Sequence, residues 1–266
     1  MTNKTSQKTT REKAAAAKAE ADARQRRVDN RNRLLGVVVI VALVALIFGG
    51  VWYSKKGNAP TAAPTADANA TLPTGVDKTT YGVPYGNAPT TVPQLQLWED
   101  FQCPICGELE KANGTGITGL ADAGKIRLLW RPTTFIDDNQ NNQSSQQAAQ
   151  AWGCAIDAGK AKEYHSTVFA NQPATEGTGW TQAQLLDFGT KAGITGAAYD
   201  TFKSCVDANT YASWVANSRQ AFDQTAVPGT PTGYLVMAGK SNKELDYNTL
   251  HDPAALQAAI TAFEGT

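Results

Sequence analysis

The sequence predicts a small α/β domain, a mixed sheet flanked by helices, carried behind a single membrane-spanning helix. Three observations predict it. After residue 93, segments of strand period alternate with segments of helical period. An uncharged apolar run of 20 residues, Leu34 to Tyr53, lies well before them. A stretch rich in Ala, Pro and Thr separates the two.

The first 33 residues hold ten basic and four acidic side chains, while the whole chain of 266 residues has zero formal net charge. The remainder is therefore mildly acidic, and nothing in it points to nucleic acid. As a helix, residues 34–53 would span about 30 Å, enough to cross a bilayer core. A cleaved signal peptide has a shorter apolar core, about 7–15 residues, followed by a small-x-small site. Here the run ends in GGVWYSKK, a poor site. An uncleaved anchor is expected, with cleavage or a buried core helix as the alternatives. The basic flank keeps the N-terminus in the cytoplasm, and everything after Tyr53 lies outside it, where disulfides persist. The arm 1–33 reads as a disordered orientation signal, or alternatively as a helix lying on anionic lipid. Residues 54–92 read as a spacer, whose second half, from Val76, could pack as an extra edge segment.

The folded part, 93–266, begins with PQLQLWE, a strand with Leu95, Leu97 and Glu99 on one face. Pro104 to Lys111 follows as a helix with proline in its first turn. Lys125 to Arg131 is a second strand, ended by Pro132. A helical block, an insertion over about 138–226, is broken at Gly159, at Gln172–Gly179, at Gly193–Gly196 and near Asn209. Tyr234 to Met237 is a third strand, and Glu244 to Tyr247 its hairpin partner. Pro253 to Phe263 closes the chain as a helix. The order is a βαβ half, an insertion, then a ββα half.

Cys103-Pro104-Ile105-Cys106 falls where the first strand passes into the first helix. A helix N-terminus offers free N–H groups and a favourable dipole to an anion. A thiol of pKa about 8.5 placed there becomes far more thiolate at neutral pH. Cys103 is thus the expected nucleophile, and Cys106, one turn inside, the resolving thiol. Pro104 suits the first turn, where its missing N–H costs nothing. A lone CxxC is also half of a zinc site, but no second pair of ligands at that spacing accompanies it. A structural or idle pair is the other alternative.

EDFQCPIC, the helical insertion and GTPTGYLV at Gly229–Val236 together resemble the DsbA-like branch of the thioredoxin superfamily, in its membrane-tethered actinobacterial form. The resemblance covers Pro93 to the C-terminus and implies a thioredoxin fold. It also implies a disulfide oxidoreductase whose only redox group is the Cys103–Cys106 disulfide, with no metal or organic cofactor. It places a cis-proline at Pro231, facing the sulfurs, with the Thr230 backbone free to pair with an extended substrate; Pro228 competes for that role. Two departures stand out. Ile105 occupies the place of the thiolate-stabilising histidine in the strongest oxidants, so a milder oxidant is expected. Leu97 occupies the place of a buried acid, leaving Glu99 or Asp100 as proton carrier, or either as an exposed acid at the strand end.

The expected function is oxidation of reduced, exported proteins, with reoxidation by a quinone-linked membrane partner of the DsbB or VKOR type. Reductase or isomerase action, or a thioredoxin-fold binding module, are the alternatives. A monomer is expected. Cys154 and Cys205 read as a structural disulfide within the insertion; a second redox pair or two separate thiols are the other readings. Gly114 to Gly119 matches GxGxxG but follows a helix, so it reads as a helix end and loop. His165 reads as a helix-surface residue, Asn139–Gln150 as a solvated loop and helix start, and Trp152, Trp180 and Trp214 as core.

Overall fold

The computed structural model describes residues 66–265. The anchor 34–53, the arm 1–33 and residues 54–65 lie outside the described residues. Among the described residues no helix is long and apolar enough to cross a membrane.

Strand β1 (Val83–Tyr85) is followed by β2 (Gln94–Glu99) and helix α1 (Pro104–Leu109). A wider helical turn (Glu110–Gly114) leads into α2 (Thr115–Asp122) and then β3 (Arg127–Pro132). The insertion holds α3 (Phe135–Gln140), α4 (Ser144–Asp157), α5 (Ala161–Ala170), α6 (Gln182–Lys191), α7 (Ala197–Asp207) and α8 (Ala212–Gln224). The chain returns as β4 (Thr232–Val236), β5 (Lys243–Leu245), α9 (Tyr247–His251) and α10 (Pro253–Gly265). The sheet order is β1-β3-β2-β4-β5. β2 pairs parallel with β3, Leu95 opposite Leu128, and antiparallel with β4, Leu95 opposite Leu235. The expected βαβ and ββα halves therefore meet along β2, the central strand.

Leu95 and Leu97 are fully buried, as the alternation required, and Trp98 on the other face is buried too. A strand covered on both faces carries apolar groups on both. The aromatic core continues into the insertion through Trp130, Trp152, Tyr164 and Trp214, all 2 % exposed or less. Trp180 is also buried, so the three tryptophans pack as expected. Gly153 sits where a Cβ would come within 2.6 Å of the Tyr211 ring, so α4 can approach Tyr211 and Trp214 only with glycine there. Cys154 on α4 and Cys205 on α7 form the expected disulfide, Cα atoms 5.8 Å apart.

Three expectations are corrected. Residues 66–92 are not a free spacer: residues before Val76 already make contacts, and from Val76 on the chain packs as the extra edge segment the sequence allowed. Val76 and Val83 are buried, Thr74 N–H donates to Asp157, the Trp214 indole donates to Tyr81 O, and β1 pairs antiparallel with β3. Sparse apolar residues suffice when each finds a pocket and the turns between them satisfy their own backbone. The Gly114–Gly119 stretch is helical, not a loop: the wider turn inserts one residue and α2 carries on. Asn139–Gln150 is only partly solvated, since α4 buries Ser145 and Ala148 to Gln150.

Candidate active site

Cys103 is the N-cap of α1, in extended backbone conformation, and Pro104 takes the first helical position. Both sulfurs are free thiols here, and Cys106 is completely buried. Beside them lies the loop before β4, in which the Thr230–Pro231 peptide bond is cis. Pro231, not Pro228, is the cis-proline. The Cys103 thiol donates to Thr230 O at 3.4 Å, so the two motifs, 127 residues apart, meet at one sulfur.

The environment separates the two thiols. Cys103 is lowered to about 6, first by a hydrogen bond from the Cys106 thiol, then by the Thr230 hydroxyl and the N–H groups of Cys106 and Ile105; burial opposes this. The Thr230 carbonyl favours the thiol, and the donors outweigh it. Cys103 is therefore far richer in thiolate at neutral pH than an ordinary cysteine. Cys106 is raised well above its ordinary value, by burial first and then by Cys103. The sign of the linkage follows. Thiolate formation at Cys103 stabilises the folded reduced form fully above the ordinary thiol pKa, and that gain is lost as pH falls through about 6. Replacing Cys106 with alanine removes the largest cause. The ultraviolet thiolate titration of Cys103 is expected to move up from about 6 toward the ordinary thiol range.

Ile105 is 48 % exposed, the one exposed large apolar side chain among the described residues. It projects no donor to the sulfur. It and Pro104 form an apolar rim beside Cys103.

Glu99, at the end of β2, is 5 % exposed, and burial raises it well above the usual carboxylate value. It lies close enough to both sulfurs for their charges to act on one another. Asp100 is fully buried and committed elsewhere. It accepts from Ser145 Oγ and from the N–H groups of Gln102 and Ile136. Its oxygens hold the loop before Cys103. Neither acid is an exposed strand-end group.

His165 is the largest correction. It is 2 % exposed, with Nε2 3.2 Å from Glu99 Oε2 and Nδ1 3.8 Å from Glu110 Oε2. Burial lowers it and holds it neutral. Spacing could have found it: Tyr164 and Val168, His165 and Phe169 form two adjacent i, i+4 columns on α5, and all four are buried. Glu110 was missed as well. It is raised to about 7, by burial first and by Glu99 next, with His165 opposing. Glu99 and His165 line a small cavity together with Phe101, Trp130, Arg131, Trp152 and Phe169. Gln172, also missed, donates to Phe101 O at 2.8 Å and to Cys103 O at 2.9 Å, tying the end of α5 to the start of α1. A loop glutamine carries no periodic signal that could have marked it.

A sequence-family model described as Thioredoxin matches residues 78–261. A curated relative, Na(+)/H(+) antiporter NhaA 1 of Salinispora arenicola, is 28 % identical over 179 residues, 67 % of this chain and 24 % of that protein. The chain thus spans about a quarter of the length of the curated relative it matches. Among solved structures, MdbA of Actinomyces oris, a thiol-disulfide oxidoreductase, is similar at TM-score 0.57 and 21 % identity, over 78 % of this chain and 94 % of that one. DsbA of Mycobacterium tuberculosis is similar at TM-score 0.55 and 24 % identity, over 70 % and 93 %. BdbD of Bacillus subtilis is similar at TM-score 0.58 and 20 % identity, over 75 % and 100 %. These likenesses identify the fold as the DsbA-like arrangement, and with the family model matching residues 78–261 the chain belongs to the thioredoxin family.

Proposed function

We propose that this chain is a thiol–disulfide oxidoreductase that oxidises cysteine pairs of exported proteins outside the cytoplasm. The observation that carries the reading is the meeting of a low-pKa Cys103, a buried high-pKa Cys106 and the cis Thr230–Pro231 loop. In the oxidised enzyme a substrate thiolate attacks Cys103 Sγ and the Cys103–Cys106 bond breaks. Cys106 leaves as a thiolate and takes a proton, which Glu99 supplies. A second substrate thiolate then attacks the substrate sulfur of the mixed disulfide. Cys103 leaves as a thiolate and the substrate disulfide forms. The Thr230 backbone aligns the extended substrate as an added strand, and the Ile105–Pro104 rim meets its apolar side chains.

A stabilised Cys103 thiolate favours the reduced enzyme, which makes the disulfide an oxidant. That supports oxidase over reductase. The reoxidant in this reading is a quinone-linked membrane protein of the DsbB or VKOR type, reached because residues 34–53 tether the domain to the bilayer. Equilibration with glutathione tests the direction. The reduction potential is expected to lie well above that of thioredoxin, about −270 mV. A value at or below it would make the chain a reductase.

The proton carrier has its own test. Glu99→Gln keeps the shape of the protonated acid and removes its proton. Disulfide transfer to a reduced substrate is expected to slow by about 10²-fold, while the Cys103 titration stays near about 6. An unchanged rate would leave Glu99 a packing residue.

A further inference from the structure

Glu99, Glu110 and His165 come from three separate elements: the end of β2, the wider turn after α1, and α5. Each offers one ligand atom, and these atoms lie within 4.8 Å of one another. The side chains are 5 %, 9 % and 2 % exposed. Glu99 Oε1 and His165 Nδ1 are buried without a hydrogen-bond partner. Among the described residues the only basic side chain within ion-pair distance of either acid is His165, which burial keeps neutral. Protein interiors seldom leave such atoms unmatched. The two carboxyls share a hydrogen bond while one is protonated; once both ionise, with no lysine or arginine within ion-pair distance, they ask for a counter-charge.

A divalent cation supplies it. Two carboxylates and a neutral imidazole balance a charge of two, with one oxygen from each acid and one ring nitrogen as ligands. The donor set selects the ion. Magnesium and calcium need six or more oxygens, and two carboxylates beside an imidazole do not provide them. Zinc is bound by three nitrogen and oxygen ligands with a fourth position left open. Access is present as well. Glu110 also lines an open groove of about 610 Å³, with Glu108, Lys111, Ser166 and Gln172, so one ligand faces both the solvent side and the interior. We propose that Glu99, Glu110 and His165 form a zinc-class divalent-cation site behind the dithiol. The site does not depend on the redox reading and can hold if that reading fails; in the metal-bound chain Glu99 is a ligand and carries no proton to Cys106.

The test uses the full chain in its oxidised form, where Cys103 and Cys106 offer no thiolate. Zn²⁺ is titrated against a chromophoric chelator. One equivalent is expected to bind, without competition from excess Mg²⁺. Glu110→Gln and His165→Gln are each expected to weaken binding by about tenfold or more, and Glu108→Gln on the same groove to leave it unchanged. Near-ultraviolet dichroism checks folding. If His165→Gln misfolds, Glu110→Gln at the groove edge decides alone. X-ray absorption of the bound zinc should show nitrogen and oxygen neighbours with an imidazole signature. No binding to the oxidised chain, equal binding by the Glu110→Gln variant, or sulfur in the zinc shell would each overturn the proposal.

Discussion

Replacing Cys103 with serine is expected to lower disulfide transfer to a reduced, unfolded substrate by about 10³-fold or more, while leaving the melting temperature nearly unchanged. The reason is geometric and electrostatic. Cys103 alone meets the cis-proline loop, its thiol donating to Thr230 O, and its thiolate is favoured by the Cys106 thiol, the Thr230 side chain and the first N–H groups of α1. Cys106 lies fully buried behind it and cannot be reached by a folded or extended partner. A hydroxyl at position 103 fills the same space but neither forms nor breaks a sulfur–sulfur bond. The companion variant sharpens the result. Cys106→Ser still presents a reactive Cys103, so it is expected to accumulate mixed disulfides with substrate that do not resolve. Gel analysis without reductant reads both outcomes. Retained oxidase activity in Cys103→Ser would sink the assignment and leave the domain a binding module.

Removing the second cysteine pair should act on stability instead. The Cys154–Cys205 bridge closes a separation of 51 residues between α4 and α7. Chain entropy alone assigns such a loop about 4 kcal/mol. For a domain of this size, Cys154→Ser with Cys205→Ser is expected to lower the melting temperature by about 10 °C. Denaturant midpoints measure the same loss. Neither cysteine belongs to α1 or to the cis-proline loop, so turnover at low temperature should persist. Lost turnover with unchanged stability would instead make the bridge a redox relay.

Much of this was legible along the chain. The two motifs, CPIC and the Thr-Pro before β4, marked both halves of the candidate site. Leu95 and Leu97 marked the central strand, and glycines or polar loops marked four breaks within the insertion, at residues where helices do end. What local patterns report is which face of an element is buried, not what it is buried against. The stretch holding Val76, Tyr81 and Val83 therefore read as spacer or as an edge segment with no partner assigned. Their partners, the core, β3 and Trp214, lie far along the sequence.

The same limit explains the site. Sequence by itself determined the dithiol, its place at a helix start and the number of cysteines left for a structural bridge, because each follows from residue type and short spacing; the proline opposite came only with the resemblance to a known family. Only the tertiary structure decided that Glu99 and not Asp100 faces the sulfurs, that His165 is turned inward, and that Glu110 joins them. Those outcomes depend on how β2, the turn after α1 and α5 are placed against one another, and a buried polar group is recognised by the partners that surround it rather than by its neighbours in the chain.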